Sequence, residues 1–212
     1  MKVAVSILKI YGSIKTTIEK INVSSADYLH IDLMDGKFIK EKSKYLPSEL
    51  NKIMKYVKKP LDVHLMAMNP LKYLDYFASL NTEYFTFHYE VVKDIESTVA
   101  SIKEVGLKPG LSINPRTKVK EIKPYLEYFD QILIMSVKPG MGGQEFIEKS
   151  LKKLEELNKI KNENNLDFII NIDGSINGET IGSVKNAGAD MVVSGSYICN
   201  SEDYEERINN LK

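Results

Sequence analysis

The sequence predicts an α/β protein, a closed (β/α)8 barrel formed by a single domain over residues 1–212. Short apolar runs rich in β-branched residues recur eight times along the chain, and segments with apolar residues at helical spacing lie between them. The strand-like runs are continuously apolar, which is typical of a parallel sheet covered by helices. Eight such units in 212 residues fit a barrel, and a doubly wound open sheet is the structural alternative.

The predicted elements follow the chain at even intervals, which favours the barrel. The strands are Val3 to Leu8, Tyr28 to Asp32, Pro60 to Leu65, Tyr84 to His88, Lys108 to Ile113, Gln131 to Met135, Phe168 to Ile172 and Met191 to Val193. Among the intervening segments, Leu46 to Val57 and Leu71 to Leu80 place apolar residues on one helical face and Lys, Glu and Asn on the other. The tail from Ser201 to Lys212 is predicted to be a final surface helix.

Composition and charge exclude several classes of protein. Hydrophobic residues make up 43% of the chain and charged residues 27%, which excludes a disordered chain. The 29 basic residues balance the 29 acidic ones, so neither a nucleic acid nor a membrane surface is expected as a partner. No apolar run approaches the roughly 18 residues of a membrane span. The balanced charge points instead to a small-molecule partner. The lone cysteine, Cys199, cannot form an internal disulfide, which favours a reducing compartment, so we expect a cytoplasmic protein. We also expect a homo-oligomer.

Histidine and aspartate residues at strand ends are candidates for a metal site. His30 and Asp32 lie two apart on a strand and therefore point to the same face. His64 and Asp173 end two other predicted strands. Such a set suits one divalent ion, Zn²⁺, Fe²⁺, Mn²⁺ or Co²⁺, rather than Ca²⁺ or Mg²⁺. The alternative is that the histidines only pair with nearby carboxylates. His88 also ends a strand, without a comparably placed carboxylate, and is interpreted as a residue of the site wall.

Glycine pairs after the last three predicted strands are candidates for a phosphate site. They are Gly140-Met141-Gly142-Gly143, Gly174-Ser175 and Gly195-Ser196. Glycine lets backbone N–H groups turn toward an anion, and (β/α)8 barrels frequently bind phosphate in the loops after strands seven and eight. Only two arginines occur in the chain, so a phosphate would depend on backbone amides or lysine. The alternative is that each pair is only a turn or a helix cap.

Several longer motifs carry a family resemblance over nearly the whole chain. The motifs are Ser6-Ile7-Leu8, His30-Ile31-Asp32-Leu33-Met34-Asp35-Gly36, Asp62-Val63-His64-Leu65-Met66, Thr86-Phe87-His88, Met135 to Gln144, and Asp173-Gly174. In order and spacing they resemble the ribulose-phosphate 3-epimerase family. The resemblance implies a TIM barrel that interconverts ketose phosphates epimeric at C3 with the aid of a divalent metal.

The resemblance also implies roles for individual residues. His30, Asp32, His64 and Asp173 resemble the metal ligands, and Asp32 and Asp173 also resemble the acid and base of catalysis. Ser6 and His64 resemble substrate contacts, and a phosphate and sugar cradle is implied at Gly140, Met141, Gly142, Gly143, Gly174, Ser175, Gly195 and Ser196. The loop from Gly140 to Gln144 is expected to fold over the substrate as a lid.

The chain departs from the family pattern at four places, one of which is Met141, where Phe is usual. Lys9-Ile10-Tyr11 stands where Ser-Ala-Asp is usual, Lys40 to Ser43 replaces a Pro-Asn segment, and Ser175 replaces a second glycine after Asp173. The last change resembles the allulose-6-phosphate 3-epimerase branch, so a hexulose phosphate is the second candidate substrate. A phosphosugar-binding barrel without catalysis and a related barrel decarboxylase are two further hypotheses. The intact ligand set and the paired aspartates favour epimerisation over both.

Overall fold

In a computed structural model of the chain, the described residues 1–10, 12–43 and 46–212 form a closed barrel of eight parallel strands. Each strand pairs with its sequence neighbour, and the first pairs with the last, with Val3 opposite Val192. The strands are β1 (Lys2–Ser6), β2 (Tyr28–Met34), β3 (Leu61–Met66), β4 (Thr82–His88), β5 (Lys108–Ile113), β6 (Gln131–Met135), β7 (Ile169–Asp173) and β8 (Met191–Ser194). The predicted (β/α)8 barrel is confirmed, and the open sheet is excluded.

Helices connect the strands on the outside of the barrel. They are α1 (Ile14–Val23), α2 (Pro47–Met54), α3 (Leu74–Ala78), α4 (Ile95–Glu104), α5 (Val119–Ile122), α6 (Lys149–Glu163), α7 (Ile181–Asn186), α8 (Ser196–Cys199) and α9 (Tyr204–Leu211). Side chains of Ser13, Asp94 and Asp203 accept backbone N–H bonds at the starts of α1, α4 and α9. Among the described residues, no helix combines the length and apolarity that a membrane crossing requires.

The strands have two different buried faces. In β2, Leu29, Ile31 and Leu33 belong to the main hydrophobic core between barrel and helices. The alternate residues His30 and Asp32 point the other way, into the barrel, because side chains alternate along a strand. The same alternation in β3 turns Asp62 and His64 inward. A sheet that is buried on both faces explains why these strands read as continuous apolar runs interrupted by a few polar residues.

Several element boundaries differ from the predictions by a few residues. β2 extends to Met34, whereas β1 ends at Ser6, where the Ser6 hydroxyl accepts a hydrogen bond from the Leu8 N–H. The predicted helix Leu71 to Leu80 is instead a 3-10 turn, Pro70–Tyr73, followed by the short α3. Proline at its start fixes the backbone there. Of the atypical Lys9-Ile10-Tyr11 segment, Tyr11 lies outside the described residues.

Candidate active site at the carboxyl ends of the strands

Four of the predicted ligands converge inside the barrel. His30 and Asp32 come from β2, His64 from β3 and Asp173 from the end of β7. One nitrogen or oxygen atom of each lies within 4.8 Å of the corresponding atoms of the other three. Strand direction explains the convergence, because parallel strands all present their carboxyl ends at the same rim of a barrel.

His30 is fixed by a buried carboxylate behind it. Its Nδ1 lies 2.7 Å from Oδ2 of Asp62, and both side chains are fully buried. Nε2 lies 3.4 Å from Oδ1 of Asp32 and, among the described residues, has no hydrogen-bond partner. If Nδ1–H donates to Asp62, the Nε2 lone pair is turned toward the four-residue cluster. Burial opposes a charged imidazole, but Asp32 and Asp62 outweigh it and raise the pKa of His30.

His64 is fixed by a second histidine and a glutamate. Its Nε2 lies 2.8 Å from Nε2 of His88, and Nδ1 of His88 lies 3.1 Å from Oε2 of Glu90. Burial lowers the pKa of His88 to about 4, so this imidazole is neutral near pH 7. Hydrogen bonds from His88 and Thr117 overcome the effect of burial and lower the pKa of Glu90 to about 2.

The protonation pattern of this chain of hydrogen bonds follows from its acidic end. The Glu90 carboxylate only accepts, so Nδ1–H of His88 donates to it and Nε2 of His88 accepts the N–H of His64. Nδ1 of His64 is then free of hydrogen and lies 3.4 Å from Oδ1 of Asp32 and 3.8 Å from Oδ2 of Asp173. The expectation that His88 lacks a comparably placed carboxylate is wrong. Glu90 follows it by two residues, and a 3-10 turn brings the carboxylate back to the ring.

Asp32 and Asp173 have opposite tendencies to ionise. Burial favours the neutral form of Asp32, but the charge and hydrogen bond of His30 prevail and hold the pKa well below the usual range. The Ser6 hydroxyl also donates to Oδ2 of Asp32 at 2.7 Å. Burial, with the neighbouring Asp32 charge, raises the pKa of Asp173 to about 6. The site thus holds one strongly acidic and one weakly acidic carboxyl group side by side.

This donor set fits a divalent cation. Each imidazole has its outer nitrogen held by a hydrogen bond and turns the other nitrogen toward the cluster, which is the usual arrangement of metal-binding histidines. A cation would take the place of the second proton that the neighbouring carboxylates favour on His30. Two carboxylates complete a set of nitrogen and oxygen ligands. The buried Nε2 of His30, which lacks a hydrogen-bond partner within the described part of the chain, is the polar atom that a cation would satisfy.

An open cavity lies above the cluster. Asp32 and Asp173 form its floor together with Met66 and Met135. Its wall contains Ser6 and Lys9 together with all the residues predicted for the phosphate and sugar cradle: Gly140, Met141, Gly142, Gly143, Gly174, Ser175, Gly195 and Ser196.

The glycine loops lie close to one another and to neighbouring side chains. Gly174 has a φ of +128°, and a Cβ there would lie 2.8 Å from the backbone nitrogen of Val137. Ser175 has a φ of +55°, in the left-handed region. Its hydroxyl donates to the carbonyl oxygen of Gln144, so the loop after β7 is tied to the loop after β6. This bond supplies a reason for serine at a position whose backbone favours glycine.

Three polar residues of the site are not identified by sequence reasoning. Asp62 stands out there only as part of a motif, and its contact with His30 depends on the pairing of β2 with β3. No motif in the sequence marks Glu90 as a partner of His88. Lys9 is marked only as a departure from the family pattern, although its side chain lines the cavity. The neighbourhood of each becomes visible only when the strands are placed side by side.

Comparison with known proteins gives one consistent family. The profile of the ribulose-phosphate 3 epimerase family matches residues 2–199. The chain is 37% identical to ribulose-phosphate 3-epimerase of Helicobacter pylori, over all of this chain and 97% of that protein. It is 40% identical to the enzyme of the same name from Aquifex aeolicus over 88% of this chain and 84% of that one. The Bacillus subtilis enzyme is 34% identical, over all of this chain and 98% of its own length.

Solved structures support the fold. Tryptophan synthase of Mycobacterium tuberculosis superposes with a TM-score of 0.70 at 12% identity, covering 99% of this chain and 88% of that one. 3-Hexulose-6-phosphate synthase of Salmonella typhimurium superposes with a TM-score of 0.65 at 16% identity, covering all of this chain and 96% of that one. At such low identity these likenesses speak for the fold alone.

Proposed function

This chain belongs to the ribulose-phosphate 3-epimerase family, and we propose that it inverts C3 of a ketose phosphate, interconverting D-ribulose 5-phosphate and D-xylulose 5-phosphate. The observation that carries the proposal is the pair Asp32 and Asp173 at the floor of the cavity, with opposite tendencies to ionise. Epimerisation beside a carbonyl requires such a pair. One carboxylate removes the C3 proton and the other carboxyl group returns a proton to the opposite face.

The unlike environments of the two aspartates suit this exchange. Asp32 is the more acidic, held by His30 and the Ser6 hydroxyl, and it is ionised over the whole neutral range. The carboxyl group of Asp173, whose pKa is raised to about 6, gains and loses a proton more readily. After one turnover the two groups have exchanged protonation states, and the reverse reaction uses them in the opposite order. The atoms balance, because one proton leaves the substrate and one returns.

His30, Asp32, His64 and Asp173 would hold the divalent ion, Zn²⁺, Fe²⁺, Mn²⁺ or Co²⁺, that is part of this proposal. When bound, such an ion supplies positive charge that stabilises the negative oxygens of the enediolate intermediate. Asp62, His88 and Glu90 orient the two imidazoles toward it. Met66 and Met135 line the same floor and limit the access of water to the reacting carbon.

The glycine loops would bind the phosphate of the substrate. Gly142, Gly143, Gly174 and Gly195 line the cavity, and without side chains they would let backbone N–H groups approach a bound anion. Because the phosphate takes no part in the reaction, its binding energy serves to orient C3 between the two aspartates. The loop after β6, tied to the loop after β7 by the bond between Ser175 and Gln144, would protect the intermediate from stray protonation.

Proton exchange at C3 tests the proposal directly. We would incubate the protein and a divalent metal salt with D-ribulose 5-phosphate in D₂O and follow the products by NMR. The expected result is D-xylulose 5-phosphate with deuterium at C3, and chelation of the metal should stop the exchange. A folded, metal-loaded protein that shows no exchange with this substrate would overturn the assignment to a pentulose phosphate.

Substitution of the two aspartates tests whether the reaction depends on both of them. Asp32→Asn and Asp173→Asn should each lower kcat by about two to four orders of magnitude, because each removes an acid or base. Asp167→Asn, an exposed position outside the cavity, is the matched control and should retain full activity. Full activity in either active-site variant, with the fold intact by circular dichroism, would contradict the two-aspartate mechanism. Phosphosugar binding with no turnover in the unmodified protein would favour the non-catalytic barrel.

The hexulose phosphate substrate is not favoured, since the relatives from Helicobacter pylori, Aquifex aeolicus and Bacillus subtilis carry the pentulose phosphate name. Rates on D-ribulose 5-phosphate and D-allulose 6-phosphate, measured side by side, decide between the two substrates.

A cytoplasmic location and a homo-oligomeric state also belong to the proposal. Both rest on the sequence expectations, and sedimentation of the purified protein tests the second.

A further inference from the structure

Lys9 occupies a place in the cavity that the barrel topology brings next to the glycine loops. It follows β1, which pairs with β8, so the segment after β1 lies beside the loop that begins at Gly195. A Cβ built on Gly195 would lie 3.2 Å from the carbonyl oxygen of Ser6. On its other side Lys9 meets the loop after β6. Its Nζ lies 3.6 Å from the position of a Cβ on Gly143.

The charge of Lys9 is distinctive within the cavity. In the described part of the chain, the charged residues that line the cavity are Lys9, Asp32 and Asp173. The two carboxylates lie at the floor, and Lys9 is the basic side chain of the wall. Neither Arg116 nor Arg207 lines the cavity. Lys9 is therefore the cavity-lining residue whose positive charge can compensate an anionic group bound between the glycine loops.

We propose that the ammonium group of Lys9 binds the phosphate of the substrate, adding a charged contact to the backbone N–H groups of the glycine loops. The inference rests on the proposed function for the nature of the substrate. It also gives a role to the departure from the family pattern, because lysine here stands where serine is usual. A serine hydroxyl offers one neutral hydrogen bond, whereas an ammonium group offers three donors and a full positive charge.

The contact is exposed to solvent, which defines its expected behaviour. Lys9 is an exposed side chain, so salt should weaken its attraction for a dianion. A charge-assisted hydrogen bond of this kind corresponds to about a ten-fold change in affinity. The effect should therefore be large at low ionic strength and much smaller in about 0.5 M salt.

Binding of inorganic phosphate, measured by calorimetry, tests the role of Lys9 without any turnover. Lys9→Met should weaken phosphate binding about ten-fold at low salt, and Lys9→Arg should restore most of it because the charge returns. Lys103→Met, which removes the same charge from the exposed face of α4, is the control and should bind phosphate like the unmodified protein. Unchanged phosphate binding in Lys9→Met and in a second variant, Lys9→Gln, would overturn the inference.

Kinetics extend the test to the substrate. In Lys9→Met, kcat/KM for D-ribulose 5-phosphate should fall about ten-fold, whereas any slow reaction of unphosphorylated D-ribulose should be unaffected. The two proposals can fail separately. Weaker phosphate binding in Lys9→Met together with an unmodified protein that turns over no ketose phosphate would leave the role of Lys9 intact and refute the proposed function. Full turnover by the unmodified protein together with unchanged phosphate binding in Lys9→Met would support the proposed function and refute the role of Lys9.

Discussion

At the scale of single residues, the orientation of His64 depends on groups that do not touch the cavity. Glu90 is held by Thr117 and by the backbone N–H of Asn114, and it fixes the Nδ1 proton of His88. His88 in turn fixes the Nε2 proton of His64. Three side chains thus determine which nitrogen of His64 faces Asp32. A neutral His88 is essential, because a protonated one would have no acceptor for the N–H of His64.

Glu90→Gln tests this chain of hydrogen bonds. The amide keeps an acceptor oxygen for its neighbours but loses the charge that makes His64 a strong ligand, so metal affinity should fall about 10-fold to 100-fold. Competition with a coloured chelator measures the affinity, and ¹⁵N NMR of the histidines reports the ring protonation of His64 directly. Glu104→Gln, at the exposed end of α4, is the control. Equal metal affinity and an unchanged histidine spectrum in Glu90→Gln would contradict the positioning role.

The residue scale also shows what the sequence can predict about the site. His30, Asp32, His64 and Asp173 are predictable because each stands at the end of an apolar strand, and parallel strands end at one rim. The role of Asp62 is not predictable, because this residue lies within a strand and one step deeper in the barrel. Nothing in its own segment indicates His30 as its partner. Contacts between strands depend on the register of strand pairing, which a single sequence does not reveal.

At the scale of elements, the seam between β4 and β5 supports the site from below. Thr86 pairs with Gly110 across this seam, and its hydroxyl accepts a hydrogen bond of 2.9 Å from the amide of Gln131. The same amide group donates to Asp62, which holds His30. The absence of a side chain at Gly110 makes this polar layer possible, since a Cβ there would overlap the Thr86 hydroxyl and lie 3.1 Å from the Thr86 Cα.

Gly110→Ala should therefore destabilise the barrel. The added methyl group forces Thr86 or the strand itself to move, and overpacking of this kind costs about 1–3 kcal/mol. Urea denaturation followed by circular dichroism measures the loss. Gly182→Ala, in α7, is the matched control, because a Cβ there has no neighbour within 4 Å among the described residues and alanine favours a helix. Equal stability of the two variants would show that the seam tolerates a side chain.

Element boundaries show a further limit of sequence reasoning. The strand positions are predictable from apolar runs, yet β2 continues two residues past its predicted end because Leu33 and Met34 still pair with β3. The loop that follows is anchored by Ser43, whose hydroxyl binds the backbone at both Asp32 and Met34. This anchor belongs to the atypical segment Lys40 to Ser43, so the departure from the family pattern leaves the end of β2 well supported.

At the scale of the whole molecule, the site exists only when the barrel is closed. Ser6, which hydrogen-bonds to Asp32, comes from β1, and Asp173 comes from β7, so the contacts bridge the first and last parts of the chain. Closure occurs through the pairing of β1 with β8. A cation held by His30, Asp32, His64 and Asp173 would therefore join β7 to the neighbouring strands β2 and β3, and it would bind the folded chain but not the unfolded one.

Metal binding should consequently stabilise the entire barrel. At a free metal concentration about 100 times Kd, the free energy of unfolding should rise by about 2.7 kcal/mol. For a chain of this size that corresponds to an increase in Tm of about 5–11 °C. Thermal unfolding with Mn²⁺ or Zn²⁺ and after chelation measures the shift. The shift should shrink in acid, because protons compete for the imidazole nitrogens of His30 and His64. In Asp32→Asn most of the shift should disappear, whereas Asp167→Asn should retain it. An equal shift in Asp32→Asn would mean that the metal binds elsewhere on the chain.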